Sequence, residues 1–242
     1  MKYTRYINLA IDHLNRNGIE YEILQGEMVS IEQIRDCEET IGFSLPREYR
    51  EYLFEIGDGF SLSYETPMKY LEERILAVLH SDSSKQHEAL KSVKNGHRNR
   101  WRLDSIADTI SEWECTQKEL SEESIKEYLK WNGEEYLNEC RRRRRWFPIS
   151  GIGGGGRTIN IDCNTDSGSI RYHDIRNPGN TNSTYIAHSL EFWMANWSQY
   201  TFSDPTYSYT TQMGITCLCD SLDGEFPWAD SSFLPKFRIA NI

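Results

Sequence analysis

The chain has 242 residues, 38% of them hydrophobic, a formal charge of −10 and a mean hydropathy of −0.67. That length buries a core without disulfide or metal staples, and the absence of any run of about 18 apolar residues excludes a membrane-spanning helix. Residues 1–62 carry 12 acids against 6 bases, residues 63–145 carry 16 of each, and residues 146–242 carry 9 against 5. An acidic first segment repels nucleic-acid phosphates and favours a basic partner, although the same charge also serves solubility.

The opening MKYTRYINLAIDHLNRNG has no uninterrupted apolar stretch, so it predicts an amphipathic helix rather than a secretory signal. That helix spans Tyr3–Asn17 with Ile7, Ala10, Ile11 and Leu14 on one face, and stops at Gly18. A short strand follows over Tyr21–Leu24. Ser30 and Gln33 have the spacing of a capping box, which predicts a second helix carrying Ile31, Ile34, Cys37 and Ile41 inward and ending at Gly42. Pro46 opens a third helix at its first turn, with Tyr49, Tyr52, Leu53 and Ile56 as the buried stripe. Gly57-Asp58-Gly59 ends that helix, and Phe60, Leu62 and Tyr64 start a strand.

Residues 65–145 have helical periods and few strand signals. Helices are expected over 68–79, 86–93, 104–119, 122–131 and 134–144, so the block reads as a helical insertion. Beyond it, strands are expected over Trp146–Ile149, Arg157–Cys163 and Ser169–Asp174, then a loop over 177–184 and an amphipathic helix over Ser189–Tyr200. The aromatic, turn-rich tail from Ser203 has no clear pattern.

Gly151, Gly153 and Gly156 match the dinucleotide spacing G-x-G-x-x-G, and the same stretch matches a phosphate loop except that Arg157 precedes Thr158 where lysine belongs. Both motifs need a helix directly after the glycines, whose free N–H groups and dipole hold the phosphate. Here Thr158, Ile159, Asn160, Ile161 and Asp162 alternate and are β-branched, so a strand follows. The glycines therefore read as a tight connection between strands, and no nucleotide cofactor is expected.

The remaining candidates are weaker. Cys37, Cys115, Cys140, Cys163, Cys217 and Cys219 form no C-x-x-C pair, which suggests reduced thiols and a cytoplasmic setting. Histidines 13, 80, 87, 97, 173 and 188 are scattered; His173, Asp174 and His188 lack zinc-site spacing, so no metal is expected. Arg141–Arg145 reads either as a nucleic-acid patch or as the basic end of a helix, where cations suit the dipole and Glu139 lies four residues before Arg143. Trp193 and Trp197 read as core. No nucleophile elbow, metalloprotease or kinase motif is present, so no catalytic residues are assigned. Asp58 and Asp162 each carry two readings, contact with a basic partner or bonding within their own turn. With Asp166 and Asp174 they are the carboxylates through which such a partner would be engaged.

The segment ETIGFSLPREYREYLFEIGDGF, residues 39–60, resembles a signature of the SUKH superfamily, with Leu45, Pro46, Tyr49, Leu53 and Gly57–Gly59 at its characteristic positions. A second block agrees: Trp146, Pro148, Ile149, Gly151, Gly153, Gly156 and Asp162. Gly168 before the next strand and a late helix with Ser189, Leu190, Phe192 and Trp193 complete the order. The superfamily includes Smi/Knr-type cell-wall regulators and bacterial immunity proteins. The resemblance implies one α+β domain over 1–242, an antiparallel sheet packed by helices. Its core covers about 28–64 and 146–200, with a helical insertion at about 65–145 and a C-terminal extension at 201–242. It also implies a non-catalytic protein-binding role, with a cognate toxin bearing a basic surface as partner, or else a regulatory scaffold, with no cofactor and no direct contact to nucleic acid or membrane.

Overall fold

The computed structural model describes residues 1–16, 18–66, 97–151, 157–174 and 184–200. The expected helices at 68–79 and 86–93, the loop at 177–183 and the tail after residue 200 lie outside these residues. The architecture is α+β, and its strands form two antiparallel sheets.

Helix α1 (Lys2–Arg16) buries Tyr3, Ile7, Ala10 and Leu14 at three- and four-residue intervals. It has no acid in its own first turn. Glu55 supplies one from outside, accepting the N–H groups of Lys2 at 2.9 Å and Thr4 at 2.8 Å. Helix α2 (Ile31–Ile41) begins on the predicted capping box: Ser30 Oγ accepts from Gln33 N, and Gln33 Oε1 accepts from Ser30 N. It buries Ile34, Cys37 and Ile41, whereas Ile31, expected inward, is exposed at the helix's first position, and it ends at Gly42 in the left-handed region, φ +79°. Helix α3 (Arg47–Ile56) starts one residue later than the sequence predicts. Pro46 is its N-cap, with ψ 146°, and its carbonyl accepts the N–H groups of Tyr49 and Arg50.

Strands β1 (Tyr21–Gln25), β2 (Phe60–Thr66) and β3 (His97–Leu103) form the first sheet in that order. β3 corrects the purely helical reading of 65–145. Trp101 and Leu103 oppose Leu62 and Phe60 of β2, so tertiary pairing fixes this segment as a strand. Helix α4 (Ile106–Glu119) occupies its predicted place, and Ile106 joins the main core. Helix α5 (Glu122–Arg143) is continuous where two helices are expected. A glycine inside a helix, here Gly133, costs only about 1 kcal/mol, too little to break it.

The second sheet has the order β4 (Trp146–Gly151), β5 (Arg157–Asp162), β6 (Ile170–Asp174) and β7 (Thr184–Ala187). Pro148 is tolerated because β4 is an edge of this sheet. The β4–β5 register shifts between Pro148 and Ser150, and in this bulge the Ile149 carbonyl accepts the Asp104 N–H at 2.9 Å, tying the end of β3 to the second sheet. β7 was not legible in the sequence. Helix α6 (Leu190–Tyr200) closes the described chain.

One core joins the layers. Tyr49 stacks on Tyr52, with ring planes 4° apart, and meets Phe147 of β4 at 6.1 Å. Trp101 of β3 meets Trp193 of α6 at 5.8 Å, which makes Trp193 a core residue; the side chain of Trp197 lies outside the described set. A smaller cluster of Leu120, Ile125 and Cys140 sits under α5.

Candidate interaction site

Two of the predicted carboxylates, Asp58 and Asp162, occupy opposite environments. Asp58 sits where the Gly57–Gly59 turn crosses the chain leaving β1. Gly26 N–H donates to the Gly59 carbonyl at 2.9 Å and Asp58 N–H to the Glu27 carbonyl at 2.7 Å. The approach is so close that a Cβ on Gly26 would lie 1.8 Å from the Asp58 carbonyl oxygen, so only glycine fits. Asp58 Oδ1 accepts the Ile106 N–H at 2.6 Å, placing negative charge at the N-terminus of α4. Ser105 caps the same helix end through Asp108 N–H at 3.2 Å.

These residues line a cleft of about 370 Å³, open to solvent, with walls from Leu24–Gly26, Asp58–Ser61 and Arg102–Ser105, and Asp108 at its rim. Asp104 ties the wall together, pairing with Arg102 through one oxygen and accepting the Gly151 N–H at 2.7 Å through the other. The hydroxyl of Ser61 is buried in the wall without a hydrogen-bond partner. Asp104, Asp108 and Arg102 were not singled out in the sequence. Their signal was the alternation Arg98, Arg100, Arg102 against Trp101 and Leu103, which marks a strand and puts Asp104 at its end.

Asp162 is fully buried. Its Oδ1 accepts from Asn164 N at 3.0 Å and Nδ2 at 2.7 Å. Its Oδ2 faces Arg142 at 3.1 Å and Arg171 at 3.7 Å. This corrects the partner-contact reading of Asp162: the carboxylate is enclosed by its own hairpin and by the end of α5. The alternative reading, bonding within the turn, describes it. Asp166 is exposed in the same turn, and Asp174 opposes Arg157 in the β5–β6 register.

The arginine run works inside the molecule as well as at the helix end. Arg143 is buried, pairs with Glu139 at 3.1 Å and lies 5.5 Å from the Trp146 ring. Arg144 donates twice to the Leu120 carbonyl, at 3.0 and 2.7 Å. Arg145 donates to the Cys163 carbonyl at 3.2 Å and lies over Phe43. Arg141 is exposed. Burial, and then the charge of Asp162, push the Cys163 thiol well above its ordinary value; burial pushes Cys37 up to about 12. Such thiols are protonated and unreactive at neutral pH. His173 is buried and His188 exposed, and no group of three or more metal-ligating side chains is assembled among the described residues.

Residues 28–196, more than half of the chain, match the SMI1/KNR4 family, SUKH-1. This chain belongs to that family. No curated protein matches it. SUKH-1 membership goes with a domain that acts through contact with other proteins rather than through catalysis. No helix among the described residues is long and apolar enough to cross a membrane.

The two blocks of the SUKH pattern meet at Gly168. It adopts φ +62°, and a Cβ there would lie 2.7 Å from Pro46 Cβ and 2.8 Å from the Ile161 side chain. Leu45-Pro46 of the first block is thus seated on the β5–β6 turn of the second, and glycine is what permits it. The glycine run lies between β4 and β5, which pair antiparallel with Gly151 opposite Thr158. A strand, Arg157–Asp162, and not a helix, follows the glycines, so the described residues there offer no helix N-terminus of the kind those motifs use. Residues 152–156 themselves, including Gly153 and Gly156, lie outside the described set.

Proposed function

We propose that this SUKH-1 chain is a non-catalytic binding module that neutralises a cognate toxin with a basic surface, such as a nuclease, by direct contact in the cytoplasm. Membership of the family over residues 28–196 is the observation that carries the reading. The acidic cleft gives it chemistry: the carboxylates of Asp58, Asp104 and Asp108 accept from the Ile106 N–H, the Gly151 N–H and the Ser105 hydroxyl, so they meet a cationic side chain without first being ordered. Asp166, exposed on its turn, and Asp174 remain candidate contacts on the second sheet. Free thiols at Cys37, Cys115, Cys140 and Cys163 suit a reducing compartment.

Co-expression with the product of the adjacent gene tests this. The expected outcome is a purifiable complex and restored growth of cells expressing that product. The association rate should fall steeply with ionic strength, since the partner is steered by charge. No complex and no rescue would overturn the reading. The same membership supports a regulatory scaffold as the second reading; a chain that forms no toxin complex but whose deletion alters cell-wall synthesis would shift the assignment there.

A further inference from the structure

We infer that the outer edge of β1 is a docking site for an extended, basic and apolar segment of a partner protein, added to the first sheet as a further strand. The inference rests on the protein-binding reading above and names its contact surface.

β1 is an edge strand of the sheet formed by the described residues. Among the described residues it pairs with β2 alone, in unbroken register from Tyr21 opposite Tyr64 to Gln25 opposite Phe60. The bond from Gly26 N–H to the Gly59 carbonyl fixes which residues face inward. Antiparallel ladders alternate, so Glu22 and Leu24 turn their backbone groups toward β2, and Tyr21, Ile23 and Gln25 turn theirs outward. An edge of this kind is a template for another strand, and folded proteins usually blunt it with proline, lysine or a bulge. YEILQ has none of these.

The side chains around the edge are apolar and exposed. Leu24 is 54% exposed on one face of β1, Tyr21 and Ile23 are partly exposed on the other, and Met28 and Ile31, just along the chain, are 59% and 55% exposed. Exposed apolar side chains on both faces of an edge strand suit strand addition, where main-chain bonds give affinity and alternate side chains give specificity. Charge selects the occupant. Residues 18–41 hold seven acidic side chains against the single Arg35; Glu38 is engaged by Arg50 and Leu45 N, while Glu20, Glu27 and Glu32 are exposed. A basic segment is attracted there, while a second copy of β1 would set like charges against each other. The patch also runs into the acidic cleft, because Leu24, Gln25 and Gly26 form part of its wall.

The probe is a short capped peptide alternating lysine and valine, with a glutamate–valine peptide as its counterpart, read by residue-resolved amide hydrogen exchange on the full chain. The lysine peptide should slow exchange at Tyr21, Ile23 and Gln25, and the glutamate peptide should not. Ile23→Pro removes one outward N–H and leaves the inner ladder intact; it should weaken the lysine peptide about tenfold. Leu24→Lys changes only an exposed side chain and should weaken it as well, with an unchanged melting temperature. Failure of the lysine peptide to slow those three amides would overturn the inference, as would equal binding of the glutamate peptide. So would full binding by both variants, or protection of the same amides by self-association without peptide. If the adjacent gene product binds wild type and Leu24→Lys equally, this surface alone is wrong; if it binds neither, the protein-binding reading falls.

Discussion

Asp58 and Asp162 are both aspartates at a turn next to a strand, and the fold treats them in opposite ways. Asp58, at the open end of the first sheet, is half-buried, caps α4 and faces a solvent-filled cleft. Asp162, at the closed end of the second sheet, is fully buried and held by Asn164, Arg142 and Arg171. The difference is what stands behind each turn. Behind Asp162 the arginine-rich end of α5 supplies cations. Around Asp58 stand Asp104, Asp108 and the acidic stretch that includes β1. One aspartate is fastened by the molecule's own positive charge, and the other is left with a surplus of negative charge.

Removing Asp162 should therefore give the largest effect. Asp162→Ala removes the buried carboxylate that faces Arg142 and the mostly buried Arg171 and that accepts the Asn164 N–H, and should cost about 3–5 kcal/mol. Thermal or denaturant unfolding reads this directly; a loss below about 1 kcal/mol would show that the arginines do not hold the second sheet. Gly168→Ala should follow, at about 3 kcal/mol. It combines a left-handed backbone with a Cβ driven against Pro46 and Ile161. If Gly168→Ala unfolds like wild type, the seating of Leu45-Pro46 on the second sheet is not the joint it is taken to be.

The legible parts of the fold were those with local chemistry. The Ser30–Gln33 box, Gly42 and the Tyr49–Ile56 stripe specify α2 and α3 by themselves. The strand after the glycines was legible because Thr158–Asp162 alternates. β3 was missed because only Trp101 and Leu103 fill the apolar side of its alternation, a signal too short to outweigh the helical periods around it, and pairing with β2 makes it a strand. The split drawn within α5 overvalued a single glycine. The site was half legible. Asp58 was named, but Asp104 was hidden behind β3, and the arginine run gave no sign that Asp162 would neutralise part of it. Burial depends on which element folds back over a residue, and spacing does not record that.

The smallest expected effect separates the two aspartates most clearly. Asn in place of Asp keeps the shape and an acceptor oxygen but removes the charge. At position 58 that loses only the attraction of a half-exposed carboxylate for the N-terminus of α4, about 0.5 kcal/mol, and salt should erase it. At position 162 the charge is buried between two arginines, where mobile ions do not screen it, so the loss should exceed that at 58 and persist in high salt. Unfolding both variants at low and high ionic strength measures this. Partner binding should rank them the other way: Asp58→Asn slows association with a basic partner, whereas Asp162→Asn, once folded, leaves it unchanged. Equal salt sensitivity at both positions would mean that the two turns share one electrostatic environment, and the division between an open and a fastened end of the molecule would not stand.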